Sequence, residues 1–170
     1  IRETDALIHV LRCFDNTNIT HVDGSVDPVR DKETIEMELQ LKDLETLEKL
    51  IEKNIRTAKS GSKEAMYKID IANKLISELS AGNSIRNISL DKNERVFVNN
   101  LSLITAKPVM YVCNVDEKSV LHGNNYVKDF KECIKSENSK VLLISTQIEA
   151  EIIELEDIEE QKLFLSEFGL

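Results

Sequence analysis

Three runs of continuous apolar and β-branched residues recur along the chain, far apart from one another. They are ALIHVLRCF near the start, VMYVC in the second half and VLLI near residue 144. Such runs predict strands that are buried on both faces, and helical patterns separate them. The chain is therefore expected to be an α/β protein with a parallel sheet.

A long segment with a helical period lies between the first and second runs. Asp27 and Pro28 predict a helix start, and neither Pro nor Gly follows until Gly61. Apolar positions then step by four and three, at Met37, Leu41, Leu44, Ile51, Ile55 and Ala58, and beyond Gly61 at Ala65, Ile69, Ala72, Ile76 and Leu79. This spacing predicts two antiparallel helices that end at Gly82 and project as a coiled-coil hairpin. A helix pair at the edge of a bundle is the alternative.

Shorter helices are predicted in the rest of the chain. Asp91 is placed to cap a helix that runs through Val98, and residues 124–135 have one apolar face. Residues 149–168 are expected to be helical, with a break near Glu156 and a dense acidic face.

Length and composition indicate an ordinary globular chain without a membrane span. The 170 residues are 41% apolar, which is enough for one buried core. No uncharged apolar run reaches about 18 residues and no leader for export is present, so a cytoplasmic protein is expected. Three cysteines at long spacings indicate neither a disulfide framework nor a zinc site.

The net charge of −9 is unevenly distributed. Residues 149–170 hold eight acidic side chains and one lysine, whereas seven cations face three acids around the turn at Gly61. Five of these cations are predicted to contact RNA: Lys49, Lys53, Arg56, Lys59 and Lys63. A solvated helix surface is the alternative interpretation of the same charges.

Polar residues follow the second and third apolar runs directly. They are Asn114-Val115-Asp116-Glu117 after the second run and Ser145-Thr146-Gln147 after the third. Ligands of parallel sheets gather at the carboxyl ends of strands, and an amide with a nearby carboxylate matches the edge of a purine. A turn at Asn114, and a plain helix start at Asp116 and Glu117, are the structural alternatives.

Four stretches of the chain resemble the YchF family of Obg-related P-loop nucleotide hydrolases. They are IRETDALIHVLRCF, ITHVDGSVDPVRDKETIEMEL, LITAKPVMYVCNVDE and STQIEAEIIELEDIEEQKLFLSEFGL, in this order. The resemblance implies that residues 1–27 and 101–170 form part of a nucleotide-binding G domain of the P-loop NTPase class. Residues 28–100 would be its inserted coiled-coil domain.

The resemblance also implies roles for the residues at the strand ends. YchF proteins have Asn-x-x-Glu where related GTPases have Asn-Lys-x-Asp, and the present chain has Asn114 and Glu117 at those places. Asn114 would then contact the base edge, Val115 would make backbone and packing contacts, and Glu117 would select ATP over GTP. Ser145, Thr146 and Gln147 fall on the second base-contacting loop, which acts mainly through its backbone N–H groups.

Phosphate-binding residues are expected outside this chain. The pattern G-x-x-x-x-G-K-[ST] does not occur among the five glycines. The resemblance implies that the P-loop and the switch residues that bind Mg²⁺ precede Ile1. We therefore expect the longer parent protein to hydrolyse ATP, and GTP less well, and the present fragment to be inactive.

The expected partners are a purine nucleotide and the ribosome, with neither membrane binding nor DNA specificity. The alternative function is that of a helical module that binds ribosomal RNA or protein without catalysis. A structural coiled-coil protein is a third possibility, against which the residues at the strand ends argue.

Overall fold

The computed structural model describes residues 1–16 and 24–168. Part of the second YchF-like stretch, residues 19–23, therefore lies outside the described residues. Within them, three strands and six α-helices follow one another along the chain, which confirms the α/β class. In order they are β1 (Leu7–Arg12), α1 (Pro28–Lys59), α2 (Lys63–Ser80), α3 (Lys92–Asn99), β2 (Val109–Asn114), α4 (Asn125–Cys133), β3 (Lys140–Ile144), α5 (Thr146–Glu154) and α6 (Ile158–Phe168).

The three strands form one parallel sheet in the order β1-β2-β3. Asn114 at the end of β2 is paired with Ile144 at the end of β3. At its two ends β1 is bonded to the β2 segment with the same offset, from Leu7 N–H to Pro108 O (2.9 Å) and from Cys13 N–H to Asn114 O (2.8 Å). All three carboxyl ends therefore lie at one edge of the sheet.

The chain forms two compact units. One contains residues 1–7 and 33–108, and the other contains residues 8–32 and 109–170. The second unit, called the sheet unit below, has a core around Tyr111 and Phe130, whose rings meet edge to face at 5.0 Å. Leu11 and Ile148 complete this core from β1 and α5.

The first unit, called the helix unit below, contains most of α1 and all of α2 and α3. Its core joins Leu47 of α1 to Leu75 and Leu79 of α2. Gln40 Nε2 donates to the carbonyl of Gly82 at 3.0 Å, so an early turn of α1 meets the end of α2. The two helices consequently run in opposite directions across the turn at residues 60–62.

The buried stripe of α1 differs from the predicted one by about one residue. Met37, Leu41 and Ile55 are exposed, whereas Asp43 and Leu47 are fully buried. The reason is that the buried side chains in the first half of the stripe are polar, and the spacing of apolar residues cannot predict a polar stripe. On α2 the buried positions include Ile71 and Leu75 instead of Ile69 and Ile76, which are half-buried.

The starts of α1 and α3 are marked by side chains that accept hydrogen bonds from the free backbone N–H groups of the first turn. Asp27 accepts from Val29 and Arg30 N–H at 3.1 and 3.0 Å, which confirms the predicted start of α1. Asp91 and Glu94 form a capping box at the start of α3.

The acidic segment near the carboxyl end forms two helices. Its first helix, α5, begins at Thr146 and not at the predicted Glu149. The Thr146 N–H at this start donates to Asn114 Oδ1. The predicted break near Glu156 is confirmed by the gap between α5 and α6. None of the helices in residues 24–168 is long and apolar enough for a membrane span.

Candidate functional site

The ends of β2 and β3 bring two of the predicted segments together. Val115, just beyond β2, donates its backbone N–H to Ile144 O at 2.8 Å. This bond extends the parallel pairing by one residue past the end of β2. The side chain of Asn114 and the first turn of α5 are thereby placed next to each other.

Asn114 and Thr146 are joined by two reciprocal hydrogen bonds. Asn114 Nδ2 donates to Thr146 Oγ1 at 3.1 Å, and Thr146 N–H donates to Asn114 Oδ1 at 3.1 Å. The amide is therefore fixed in orientation by a backbone group and a hydroxyl. Both residues retain access to solvent, with Asn114 half-buried and Thr146 exposed.

Ser145 contributes a buried hydroxyl to the same edge. The residue is 2% exposed, and within residues 1–16 and 24–168 its Oγ has no hydrogen-bond partner. A buried hydroxyl without a partner is costly and rare in folded proteins. A polar ligand group at this edge would supply the missing partner.

The tetrad that follows β2 separates into buried and accessible members. Val115 is 2% exposed and packs in the core of the sheet unit, whereas Asp116 is exposed. Glu117 begins a single 3-10 turn that ends at Ser119. It is half-buried, and its carboxylate makes no hydrogen bond or ion pair within the described residues. Glu117 is thus an available acceptor close in sequence to Asn114.

Gln147 lies in the first turn of α5 and is exposed. Its side chain contacts Glu151 of the same helix, with a long Nε2 to Oε1 distance of 3.4 Å. The backbone N–H groups of a first helical turn are free of intrahelical partners. The Thr146 N–H already donates to Asn114 Oδ1. The other backbone N–H groups of this turn are therefore the available donors, more than the side chain of Gln147.

Two buried thiols lie at the same ends of β1 and β2. Cys13 and Cys113 are both 0% exposed. A hydrogen bond with Cys113, followed by burial, raises the pKa of the Cys13 thiol. Cys13 is therefore a protonated packing group and does not supply a thiolate nucleophile.

Asn124 is a connecting residue at this edge whose role the sequence reading missed. Its Nδ2 donates to the carbonyl of Cys13 at 2.7 Å, and its Oδ1 accepts from Val127 N–H at 3.1 Å. It thereby ties the end of β1 to the start of α4. The signal in the sequence was an Asn before an amphipathic helix, which indicates a cap but not the second bond.

The basic residues predicted on the helix pair are all accessible. Lys49, Lys53, Arg56, Lys59 and Lys63 are exposed, and no ion pair joins them to an acid within the described residues. Other cations of the region are neutralised. Lys68 contacts Glu64 at 2.6 Å and Lys74 contacts Glu94 at 2.7 Å.

No cluster of three or more His, Cys, Asp or Glu side chains suited to a metal ion occurs in residues 1–16 and 24–168. The described residues therefore offer no ready Mg²⁺ site.

Comparison with known proteins relates the whole chain to one family. No family model matches it. The "Ribosome-binding ATPase YchF" of Haemophilus ducreyi is 42% identical over 170 residues, which are 100% of this chain and 46% of that protein. The protein of the same name from Bacillus subtilis is 41% identical over 172 residues, covering 100% of this chain and 47% of that protein. The resemblance to the YchF family is confirmed.

A solved structure of the YchF family supports the same conclusion. The YchF GTPase of Schizosaccharomyces pombe is 30% identical and superposes with a TM-score of 0.85, over 99% of this chain and 47% of that chain. The chain spans about half the length of the YchF proteins that it matches.

Proposed function

We propose that the chain is the purine-recognising and helical part of a ribosome-associated YchF protein that hydrolyses ATP, and GTP less well, in the cytoplasm. The names of its relatives, which describe ribosome-binding ATPases, support this proposal. The observation that carries it is the fixed Asn114–Thr146 pair beside the buried, unpartnered hydroxyl of Ser145.

In this proposal the base of the nucleotide lies against the ends of β2 and β3. The Asn114 amide presents both a donor and an acceptor, and a purine edge offers the complementary groups. Glu117 accepts from the base, while Val115 supports it from the core. Ser145, Thr146 and Gln147 form the second loop at the base, where backbone N–H groups other than that of Thr146, which donates to Asn114, are the main donors.

Phosphate binding and hydrolysis are assigned to other parts of the longer protein. Mg²⁺ and the triphosphate would be bound there, since the described residues offer no suitable cluster. The present chain would then orient the base and leave the bond-breaking step to the rest of the molecule. By itself it is expected to be inactive.

The base-recognition proposal is tested by Glu117→Asp in the full-length protein. A shorter carboxylate is expected to shift the ratio of ATP to GTP affinity toward GTP, measured by competition with a fluorescent nucleotide. Changing Val115 to Lys as well would complete the GTPase pattern, but Val115 is buried, so a cation there would destabilise the core. Asp116→Asn, at an exposed neighbour, is the control. An unchanged affinity ratio would reject the assigned readout.

We also propose that residues 28–100 form an inserted coiled-coil domain, and that its basic face binds ribosomal RNA. The five exposed cations without acidic partners support this role, despite the acidic total of the chain. The triple change of Lys53, Arg56 and Lys59 to Glu is expected to reduce co-sedimentation with ribosomes. Intact co-sedimentation would remove the basic face from the proposal and leave the purine site unaffected.

A further inference from the structure

A groove on the second half of α1 has the composition of a site for a nucleotide of single-stranded RNA. It has a volume of about 420 Å³, within the usual range of roughly 300–1,000 Å³ for ligand sites. Arg2, Lys49 and Lys53 line it, and within the described part of the chain no carboxylate does. The charged side chains of the lining are therefore all positive.

The arginine of the groove is held in place by the helix. Arg2 Nη2 donates to Thr46 Oγ1 at 2.8 Å and to the carbonyl of Lys42 at 3.2 Å. Both acceptors are uncharged, so the charge of the guanidinium is not neutralised by these bonds. The remaining N–H groups of a fixed guanidinium are suited to the paired oxygens of a phosphate.

The floor of the groove is apolar and its sides offer neutral polar groups. Leu50 and Leu101 provide the apolar surface, against which the face of a base can pack. Asn54, which donates from Nδ2 to Leu50 O at 2.8 Å, retains its amide oxygen for a base edge. An acidic peptide would use the cations but has no planar group for this floor.

The cations continue beyond the groove along one side of α1. Lys49, Lys53 and Arg56 follow at intervals of four and three residues, which places them on one face of the helix. Such a row can follow a phosphodiester backbone, as positively charged grooves do in proteins that bind single strands.

We propose that the groove holds one unstacked nucleotide of a single-stranded RNA whose backbone continues along this row. This inference rests on the RNA-binding role proposed above and adds its strand type and its contact point.

The test measures RNA binding by the full-length protein with fluorescein-labelled decamers, single-stranded and duplex, by fluorescence anisotropy over a series of salt concentrations. Asn54→Leu leaves all charges in place and is expected to weaken single-stranded binding about fivefold, the worth of one hydrogen bond. Lys49→Ala with Lys53→Ala is expected to lower the salt slope by about 0.7 per lost phosphate contact. Asn73→Leu, at an exposed position of α2, and Lys68→Ala, which is paired with Glu64, are the matched controls.

The outcomes separate this inference from the RNA-binding proposal. Preference for the single strand, together with sensitivity to Asn54→Leu, supports the nucleotide site. Equal binding of single and double strands, weakened by the lysine changes but not by Asn54→Leu, overturns it and leaves RNA binding standing. The absence of RNA binding by the unaltered protein, or displacement of RNA by a glutamate decapeptide at equal charge, overturns both.

Discussion

The two compact units bury different kinds of side chain on their central elements. In the sheet unit the residues buried on β1 and β2 include Leu11, Tyr111 and Cys113, and the core around them is apolar. In the helix unit α1 buries Gln40 and Asp43 ahead of Leu47. The buried side chains of the sheet strands are thus apolar, although Ile8 and Val10 of β1 and Leu142 of β3 are exposed, whereas the first turns of the α1 stripe bury hydrogen-bonded polar groups.

The difference arises from how each unit satisfies its backbone. Parallel strands pair their N–H and C=O groups with each other, so that their side chains are free to be apolar. The helix unit packs irregular segments near Gly82 and Thr105 against α1, and their backbone groups need other partners. Gln40 and Asp43 supply these partners from successive turns of α1.

Removal of the Asp43 carboxylate tests this difference between the units, and it is expected to have the largest effect on stability. Asp43 accepts from Ile104 N–H (2.9 Å), Thr105 N–H (2.7 Å) and Thr105 Oγ1 (2.8 Å), and it is fully buried. Asp43→Ala leaves these donors without a partner, so we expect a loss of about 4 kcal/mol in local stability. Hydrogen exchange at the amides of Ile104 and Thr105 in the full-length protein measures it.

Glu48→Ala is the control for this change, because Glu48 is exposed on the same helix. Its effect should stay within about 0.5 kcal/mol. Equal protection of the two amides in Asp43→Ala and Glu48→Ala would mean that the carboxylate does not hold the loop.

A second buried polar contact has the same function in the helix unit. Arg86 Nη2 donates to both carboxylate oxygens of Glu36 at 2.5 Å, and Ser84 Oγ also donates to this carboxylate. The Arg86 side chain is 8% exposed and that of Glu36 is 12% exposed. With Gln40 and Asp43, Glu36 completes a polar stripe at spacings of four and three along α1.

The sheet could be predicted from sequence, and the buried stripe of α1 could not. Continuous apolar runs give the position of each strand. The predicted burial on both faces is wrong for β1 and β3, where Ile8, Val10 and Leu142 are exposed. The stripe of α1 instead combines carboxylates, an amide and leucines. Loops that are distant in sequence determine which face of α1 is buried. The spacing of the apolar residues Met37 and Leu41 therefore predicted burial of the neighbouring face.

The candidate site was only partly accessible to the same reasoning. Asn114 and Thr146 were identified by their positions after strands, which the fold brings together. Their reciprocal hydrogen bonds, and the groove that involves Arg2 and Asn54, depend on contacts across 32 and more residues. No local pattern encodes such pairs.

An intermediate effect is expected where the sheet unit does use a polar side-chain contact. Thr146→Val removes the hydroxyl that accepts from Asn114, while the bond from the Thr146 N–H remains. Because Thr146 is exposed, stability should change little, but a less fixed amide should lower purine nucleotide affinity about fivefold. Titration with a fluorescent ATP analogue measures this change. Thr57→Val, at an exposed position of α1, is the control, and equal affinities in the two variants would contradict a positioning role for Thr146.

The smallest expected effect concerns an ion pair of the helix unit with one exposed end: the Lys74 side chain is 44% exposed and that of Glu94 is 13% exposed, whereas Asp43 is fully buried. Lys74 Nζ lies 2.7 Å from Glu94 Oε1 and joins α2 to α3. The bond from Lys74, followed by the Asp91 backbone N–H, lowers the pKa of Glu94 below its ordinary value of 4.5. A lowered carboxyl pKa contributes stability above pH 4.5, and that contribution disappears as the pH falls through the lowered pKa.

NMR titration of the Glu94 carboxyl group tests this contrast directly. In Lys74→Met the titration midpoint should rise toward 4.5, with the remaining lowering due to the Asp91 N–H. Above pH 4.5 the variant should unfold only slightly more readily than the unaltered protein, since accessible ion pairs contribute little. A midpoint that does not move would assign the lowered pKa to the capping box alone. A loss of stability as large as that of Asp43→Ala would instead show that the Glu94 ion pair and the Asp43 carboxylate contribute equally to the stability of the helix unit.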